Sequence, residues 1–341
     1  MKANRFRTTS VVVSLLTAIW LPVAAIAAEK LTPEQAGTIS QPKGQIAFAR
    51  DGNIWTMNVD GSNQQLVAEV GNVDGRISWA PDSRRIAYTR SGKVNTEGPD
   101  YMGGQHKVYD IFLALLDSAD ANNRMWWYRI TGDMGSRDPE WSADDSRIVF
   151  WKDINANRVN AGEPSYQVCT MAPDGSDFQY LRKDFANMEG TYMISPSMNS
   201  NGDLAFVYFD QLKPVGLVVL IRDQYMLSMD SIKTIANRNR NYVAPTWSPD
   251  GKWLAFVSNS MTDAGLYIAT PDLKKKYLVA TPPVGTYLYT MAPSFSPDSK
   301  WLTFSTTDGS VWTCDITGNG LRRLTGPGLD RAPAWSKAPP K

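Results

Sequence analysis

The sequence contains a single histidine, His106, and two cysteines among 341 residues. Most zinc sites and most histidine-based acid/base mechanisms need more than one histidine, so this scarcity excludes most of both classes. Lysine and arginine number 35 against 34 aspartates and glutamates, which leaves a formal net charge of +1. Because nucleic acids and anionic membranes recruit strongly basic surfaces, the balance predicts no nucleic-acid partner.

Long apolar runs are also scarce. One run, residues 11–21, follows three basic residues and precedes a stretch of small residues. This order is typical of a signal peptide, and the run is too short to span a bilayer comfortably. We predict a signal peptide at residues 1–27, cleaved after Ala27, with an uncleaved anchor as the alternative. The mature chain is then expected to be periplasmic or secreted, without a transmembrane segment.

A repeated motif is the main feature that the sequence does contain. Residues 247–256 read WSPDGKWLAF and residues 295–304 read FSPDSKWLTF. Related segments begin at the anchor residues Trp79, Trp141, Met198 and Trp335. Each complete copy indicates a strand, a tight turn and a second strand, and further strands follow most copies. Four antiparallel strands per repeat are typical of the blade of a β-propeller.

The Trp-Ser-Pro-Asp-Gly-Lys-x-Leu-Ala-Phe hairpin, the Met-x-x-Asp-Gly strand end and the Arg-Leu-Thr-Gly strand resemble the repeats of the TolB-type six-bladed propeller family. The resemblance covers residues 44–337 and is strongest at 44–90 and 245–336. It implies a fold but not one function, because similar repeats occur in peptidase and sugar-lyase propellers. TolB proteins carry an α/β domain before the propeller; residues 28–43 are too few for one and predict a lead-in with at most one helical turn.

The two ends of the repeat array complement each other. The first repeat starts with a second strand at residues 45–48, and the last supplies only a first strand at residues 334–336. We predict an all-β, six-bladed β-propeller at residues 44–337, closed by pairing of the N- and C-terminal strands in one blade. The alternative is an open stack or a two-sheet sandwich. Residues 338–341 are expected to form a tail.

Catalytic motifs are few. The sequence contains no Gly-x-Ser-x-Gly motif, which argues against a peptidase of the propeller-plus-hydrolase kind. Propeller lyases of oligogalacturonate resemble these repeats but use several histidines around a metal, and one histidine cannot supply that site. We place His106 in a long loop, residues 93–107, between strands of the second blade, and expect a solvated rather than a catalytic side chain.

Residues just before the six anchors are expected to meet at one rim of the channel, because the innermost strands line it. The basic and aromatic residues at these positions are Arg76, Arg137, Arg331, Tyr192, Tyr242 and Tyr289. We predict that they bind a partner through carboxylate pairing and aromatic packing. The alternative is a set of internal ion pairs with the neighbouring carboxylates Asp74, Asp138 and Asp330.

The segment at residues 153–163 spaces oxygen-bearing side chains as a calcium loop does. The candidate ligands are Asp153, Asn155, Asn157 and Glu163. The segment departs from the full pattern because Arg158 stands in place of a glycine and the glutamate comes one residue early. The alternative is an Asn-rich connection whose side chains cap their own backbone. No other cofactor is indicated.

The two cysteines, Cys169 and Cys314, each fall on the predicted third strand of a repeat. In a six-fold ring their blades lie on opposite sides of the channel, tens of ångströms apart on the scale of such a domain. A disulfide needs Cα atoms within about 7 Å of each other. We therefore predict two free thiols, packed between strands as small apolar side chains.

These observations predict an exported, non-enzymatic TolB-like propeller that binds a protein or peptide partner, or a glycan, at the channel rim. The alternative function is a carbohydrate-active or hydrolytic enzyme that uses rim carboxylates such as Asp74, Asp138 and Asp330. Two carboxylates about 5–9 Å apart across a cleft could support general acid/base catalysis.

Overall fold

A computed structural model describes residues 29–96, 104–119, 125–156, 165–181, 191–210, 213–223, 226–235, 242–259, 263–288 and 291–337. The predicted signal peptide and tail lie outside these residues. The lead-in contains one short helix, α1 (Pro33–Ala36), as the sequence indicates. Thr32 and Gln35 form a capping box at its start, which satisfies two main-chain N–H groups. Within the described residues, no helix has the length and hydrophobicity needed to cross a membrane.

The first sheet combines the two ends of the described chain. Its strand order is β24 (Arg331–Trp335), β1 (Gln45–Arg50), β2 (Asn53–Asn58) and β3 (Gln65–Ala68). In the antiparallel pair β24 and β1, Trp335 lies opposite Ile46 and Ala334 opposite Ala47. The predicted pairing of the N- and C-terminal strands is therefore confirmed.

Three further sheets each contain four consecutive antiparallel strands. The second sheet contains β4 (Val73–Trp79), β5 (Arg85–Thr96), β6 (Gly104–Ala119) and β7 (Met125–Arg129). Another contains β16 (Tyr242–Trp247), β17 (Leu254–Ser258), β18 (Gly265–Ala269) and β19 (Lys276–Ala280). The last contains β20 (Ser294–Phe295), β21 (Trp301–Ser305), β22 (Val311–Asp315) and β23 (Arg322–Arg323).

The remaining sheet has eight strands and joins two repeats. Its first group is β8 (Ser136–Trp141), β9 (Ile148–Asp153), β10 (Tyr166–Met171) and β11 (Gln179–Tyr180). Its second group is β12 (Thr191–Met198), β13 (Leu204–Asp210), β14 (Lys213–Asp223) and β15 (Met226–Ile235). One parallel pair, Tyr166 with Tyr192, connects β10 to β12.

The described residues therefore form five sheets, and the prediction of six separate blades is corrected on this point. The short strand β11 covers only Cys169 and Thr170 of β10. Tyr166, at the start of β10, is left available to β12, and the rings of Tyr166 and Tyr192 pack 4.9 Å apart. A shortened outer strand thus lets two repeats share one sheet.

The second sheet also corrects the predicted loop at residues 93–107. Strands β5 and β6 continue their antiparallel pairing as far as Thr96 and Gly104, and His106 pairs with Val94. The hairpin arm is longer than expected because cross-strand pairing satisfies backbone groups that a loop would leave to water. His106 is therefore a strand residue rather than a loop residue.

The repeated Ser-Pro-Asp turn forms because its side chains satisfy the local backbone. Asp250 Oδ1 accepts hydrogen bonds from Ser248 Oγ at 2.7 Å and from the Lys252 main-chain N–H at 3.1 Å. Ser248 Oγ in turn accepts the Trp253 main-chain N–H at 3.0 Å. Because these hydrogen bonds depend on side chains within a few residues of one another, the motif predicts the turn from the sequence.

The anchor positions lie where neighbouring sheets pack. Five of the six are buried, namely Trp79, Trp141, Trp247, Phe295 and Trp335. Serines one position before an anchor connect successive repeats: Ser78 Oγ accepts the Trp141 main-chain N–H at 3.1 Å, and Ser294 Oγ accepts that of Trp335 at 2.9 Å. Hydrophobic packing and these hydrogen bonds together hold the innermost strands around the channel.

Cys169 lies on β10 and Cys314 on β22, in different sheets. Both are free thiols with 0% exposure, as predicted from the repeat register. Burial raises the pKa of each thiol well above its usual range. Both side chains therefore act as inert, small apolar residues of the core.

Candidate functional site

The innermost strands share a bulge near one rim of the channel. Left-handed backbone, with φ between 51° and 57°, occurs at Asp138, Ser195, Ala244 and Ala332. Each lies three residues before an anchor, where the pairing register with the adjacent strand shifts. Non-glycine residues in this conformation cost about 1–3 kcal/mol each. The bulges bend the innermost strands and re-aim the residues that precede the anchors.

Arg76 points into the channel rather than outward from the rim. The residue is 7% exposed, and its guanidinium pairs with the carboxylate of Glu140. It also donates to the main-chain carbonyls of Pro196 at 2.8 Å and Pro245 at 2.9 Å. Acceptors from three other repeats converge on this one side chain. Arg76, predicted as a partner contact, therefore lies in an internal network.

Glu140 and Lys337 are two channel residues that the sequence analysis missed. Ser197 Oγ donates to Glu140 Oε1 at 3.0 Å. Burial raises the pKa of Glu140, although Arg76 acts in the opposite direction, and burial lowers the pKa of Lys337. A signal was present in the repeat alignment, because the residue before the anchor is serine or threonine in four repeats and a carboxylate only in this one.

Arg137 packs against aromatic rings at the rim. Its guanidinium carbon lies 3.9 Å from the centroid of the Tyr109 ring and 5.1 Å from that of Trp151. Arg137 Nη2 lies 3.6 Å from Asp74 Oδ1, and the side chain is 24% exposed. Cation–π contacts of this kind contribute about 0.5–2 kcal/mol. Arg137 is thus held in place by its neighbours while part of its side chain still faces solvent.

The predicted rim tyrosines lie within the sheets where they are described. Tyr192 is 7% exposed and packs edge-on against Tyr166. Tyr242 is 2% exposed; its hydroxyl donates to Asp263 Oδ2 at 3.3 Å and accepts from Lys276 Nζ at 2.7 Å. Tyr289 lies outside the described residues. The two described rings are buried, so neither presents a face to a partner at the rim.

Arg331 lines a groove between the first and second sheets, which we call the rim groove. The groove has a volume of about 660 Å³. Its lining includes Asp51, Asn72, Asp74, Lys93, Lys107, Leu329 and Arg331. Arg331 donates one hydrogen bond through Nη2 to the Val73 carbonyl at 2.9 Å. Among the described residues, no carboxylate lies within 4.0 Å of its guanidinium.

The other charges in the rim groove are unevenly paired. Lys107 pairs with Asp74, and this hydrogen bond raises the pKa of Lys107. Lys93 is exposed, and within the described part of the chain neither Lys93 nor Asp51 has an oppositely charged group within 4.0 Å. Among the described residues, the groove therefore contains two unpaired cations, Lys93 and Arg331, and one unpaired carboxylate, Asp51. This excess of positive charge favours an anionic group as ligand.

The three rim carboxylates of the enzyme hypothesis all have partners. Asp330 accepts two hydrogen bonds at 2.7 Å from Arg50 and has a side chain 4% exposed. Asp138 accepts from the Trp151 indole N–H at 2.8 Å and from the Arg76 main-chain N–H at 2.9 Å. Asp74 pairs with Lys107 and lies near Arg137. Of the expected ion pairs, only Arg137 with Asp74 is found among the described residues, because Arg76 pairs with Glu140 and Asp330 pairs with Arg50.

The candidate calcium loop is only partly described. Asp153 Oδ1 accepts the main-chain N–H groups of Asn155 at 3.0 Å and Ser165 at 3.3 Å. Burial raises the pKa of Asp153, and these two hydrogen bonds act in the opposite direction. Asn157 and Glu163 lie outside the described residues, so calcium binding stays a prediction.

The sequence comparison identifies a family. Residues 140–338 match the family described as the TolB beta propeller domain. This match covers more than half of the chain. No curated protein matches the chain in sequence.

Comparison with solved structures finds the same fold. TolB from Acinetobacter baumannii has a TM-score of 0.59 and is 18% identical; the match covers 86% of this chain and 66% of that protein, slightly less than two thirds. A candidate TolB from Agrobacterium tumefaciens has a TM-score of 0.56 and is 14% identical, with 84% and 90% covered. A puromycin-hydrolyzing peptidase of Mycobacterium tuberculosis has a TM-score of 0.51 and is 13% identical, with 88% and 47% covered. Similarity at these identities establishes the fold alone.

Proposed function

This chain belongs to the TolB β-propeller domain family, and from that premise we propose that it is an exported, non-enzymatic propeller that binds a protein or peptide partner at the rim of its channel. The family match and the TolB structures of similar fold support a binding propeller. The predicted signal peptide at residues 1–27 supports export.

The rim groove is the observation that carries this proposal. Its volume of about 660 Å³ is in the range of known ligand pockets. Arg331 is anchored by one hydrogen bond to the Val73 carbonyl, which leaves its other N–H donors available for a bidentate contact. Lys93 supplies a second cation, and Leu329, 66% exposed, supplies an apolar contact beside them. The partner group that fits is an acidic side chain or C-terminal carboxylate of a peptide, next to an apolar residue.

The alternative of an enzyme with catalytic rim carboxylates has less support. A general acid or base must be free to reach the substrate proton. Asp330 is enclosed by Arg50, and Asp138 is occupied by an indole and a main-chain donor. Asp74 is shared between Lys107 and Arg137. The similarity to a hydrolytic propeller, at 13% identity, concerns the fold and adds no support for catalysis here.

Partner capture tests the proposal. The full chain, expressed with its own N-terminus, is used to capture proteins from an envelope extract, and affinity is then measured with the captured partner. The double variant Lys93→Ala, Arg331→Ala is expected to weaken binding about tenfold to a hundredfold, because charge-assisted hydrogen bonds contribute about 1.5–3 kcal/mol. The matched control is Arg323→Ala on β23, which is also an exposed basic residue.

Different outcomes test the binding site, the class of partner and export separately. Equal binding by the wild type and the double variant would contradict the groove as the binding site. Selective capture of glycans would replace the protein partner with a carbohydrate ligand. Mass spectrometry of the exported chain is expected to find Ala28 as the first residue, and retention of the chain in the cytoplasm would contradict export.

A further inference from the structure

The centre of the channel holds charges that the rim groove and the proposed function do not use. A cavity of about 30 Å³ lies between the innermost strands. Its ionisable lining residues are Arg76, Glu140 and Lys337. With all three ionised, the cavity carries one net positive charge. The carboxylate of Glu140 is already bonded, through one oxygen to Arg76 and through the other to Ser197 Oγ.

Lys337 has no counterion of its own in the described part of the chain. Among the described residues, no carboxylate lies within 4.0 Å of its ammonium, and no hydrogen-bond acceptor is in reach. Lys337 is partly buried, and a cation that loses part of its hydration without gaining a counterion is costly. The cost can be lowered by loss of the proton or by a companion anion. Burial lowers the pKa of Lys337, which is the shift expected for a cation that loses hydration without gaining a counterion.

A second donor in the cavity is also without a partner. Thr246 is 9% exposed, and its hydroxyl has no hydrogen-bond partner among the described residues. Thr246 lies on β16, directly before Trp247, and lines the same cavity as Lys337. The other hydroxyls of this ring differ, since Ser78, Ser197 and Ser294 each accept a main-chain N–H. A buried hydroxyl normally finds a partner, so Thr246 indicates a ligand in this cavity.

We infer that the channel centre binds one small monovalent anion, of the size of a halide, with the Lys337 ammonium and the Thr246 hydroxyl as donors. A cavity of about 30 Å³ holds an object of the size of one water molecule or one halide ion. This small volume favours a single monatomic anion over a larger group such as a phosphate. The bound anion would balance the second cation and join Thr246 of the fifth repeat to Lys337, which follows β24 of the first sheet.

Chloride dependence of thermal stability tests this inference directly. The melting temperature of the full chain is measured from 1 mM to 500 mM sodium chloride, with sodium gluconate added to keep the ionic strength constant. The melting temperature of the wild type is expected to rise by a similar increment for each tenfold increase in chloride above the dissociation constant. Gluconate, a large anion, is expected to produce no such rise.

Three variants assign the effect to the cavity. Lys337→Met is expected to abolish the chloride response, and Thr246→Val, which keeps the shape of the side chain, to weaken chloride affinity several-fold. Glu140→Gln removes the one negative charge among the described residues that line the cavity, so chloride is expected to bind several-fold more tightly. Lys252→Met is the matched control, because Lys252 has a side chain 76% exposed and lies in a turn. Its response is expected to equal that of the wild type.

The response should also depend on pH, because the ammonium must be protonated to bind the anion. The other ionisable groups that face Lys337 in the cavity are Glu140 and Arg76. We expect the chloride response at pH values where Lys337 is protonated and its loss as the pH rises through the lowered pKa of Lys337. Glu140→Gln should keep this alkaline loss, which assigns it to Lys337.

Bromide soaked into crystals gives an independent measurement. An anomalous peak beside Lys337 and Thr246 is expected in the wild type and not in Lys337→Met. A wild type whose melting temperature is the same in chloride and gluconate overturns the inference. The same holds if Lys337→Met and Thr246→Val both respond like the wild type, or if bromide binds only at the surface. If Lys337→Met does not fold, the other two variants still test the site, because Thr246→Val should weaken chloride binding and Glu140→Gln should strengthen it.

Discussion

Removal of the Trp335 side chain tests whether the terminal strand holds the two ends of the fold together. Trp335 is 0% exposed and packs in a cluster with Ile46, Phe48 and Trp301. Its indole N–H donates to the Lys43 carbonyl at 2.8 Å. The side chain thus contacts both the first strand and the neighbouring sheet, so Trp335→Ala removes contacts that no local element replaces.

The loss of unfolding free energy caused by Trp335→Ala can be calculated from these contacts. Truncation of a buried aromatic side chain costs about 3–5 kcal/mol. The unpaired Lys43 carbonyl adds about 1–3 kcal/mol where water cannot reach it. The sum, about 4–8 kcal/mol, is a large share of the 5–15 kcal/mol by which domains are typically stable. At about 2–4 °C per kcal/mol, as is typical of larger domains, the melting temperature should fall by about 8–32 °C.

Calorimetry and urea unfolding measure this loss. The control is Trp126→Ala on the outer strand β7, where the tryptophan is 58% exposed and its removal should cost little. Trp335→Phe keeps most of the apolar contact and loses only the indole hydrogen bond, so its stability should fall between the two. If Trp335→Ala and Trp126→Ala lower the free energy of unfolding to the same extent, the terminal strand does not hold the fold together.

Three further outcomes are expected. Thiol titration should find no reactive cysteine in the native protein and two per chain after denaturation, whereas a Cys169–Cys314 disulfide would contradict the strand positions. If the loop at Asp153 binds calcium, calcium should raise the melting temperature of the wild type but not of Asp153→Ala; identical melting of the wild type in calcium and chelator rejects the site. In chloride-free buffer the unfolded chain keeps the Lys337 proton to a higher pH than the folded one, so stability should rise with pH between the two pKa values, and Lys337→Met should remove this rise.

The enclosed ion pairs explain why the rim could be predicted only in part. The alignment of anchors predicted basic residues near the channel mouth, because every innermost strand is expected to enter from the same side. Whether a given arginine faces a partner or the interior depends on acceptors from distant repeats. Arg76 turns inward because Glu140, Pro196 and Pro245 meet there, whereas Arg331 donates to one carbonyl among the described residues.

The sequence by itself determined the repeat, the turns and the pairing of the two ends. These features depend on short-range chemistry: Ser248 and Asp250 satisfy the backbone of their own turn, and alternating apolar residues fix which side of each strand is buried. The family could be identified for the same reason, since the motif is contained within ten consecutive residues. The free thiols followed from the same register, because strand position alone separates Cys169 from Cys314.

Only the tertiary structure decided the number of sheets, the length of the β5–β6 hairpin and the charges at the channel centre. The contact between Tyr166 and Tyr192, which joins two repeats, depends on how far β11 extends along β10. Glu140 and Lys337 are almost two hundred positions apart and meet because the ends of the chain close on the channel. Burial and charge balance are sums over all neighbours in space, so no local pattern in the sequence contains them.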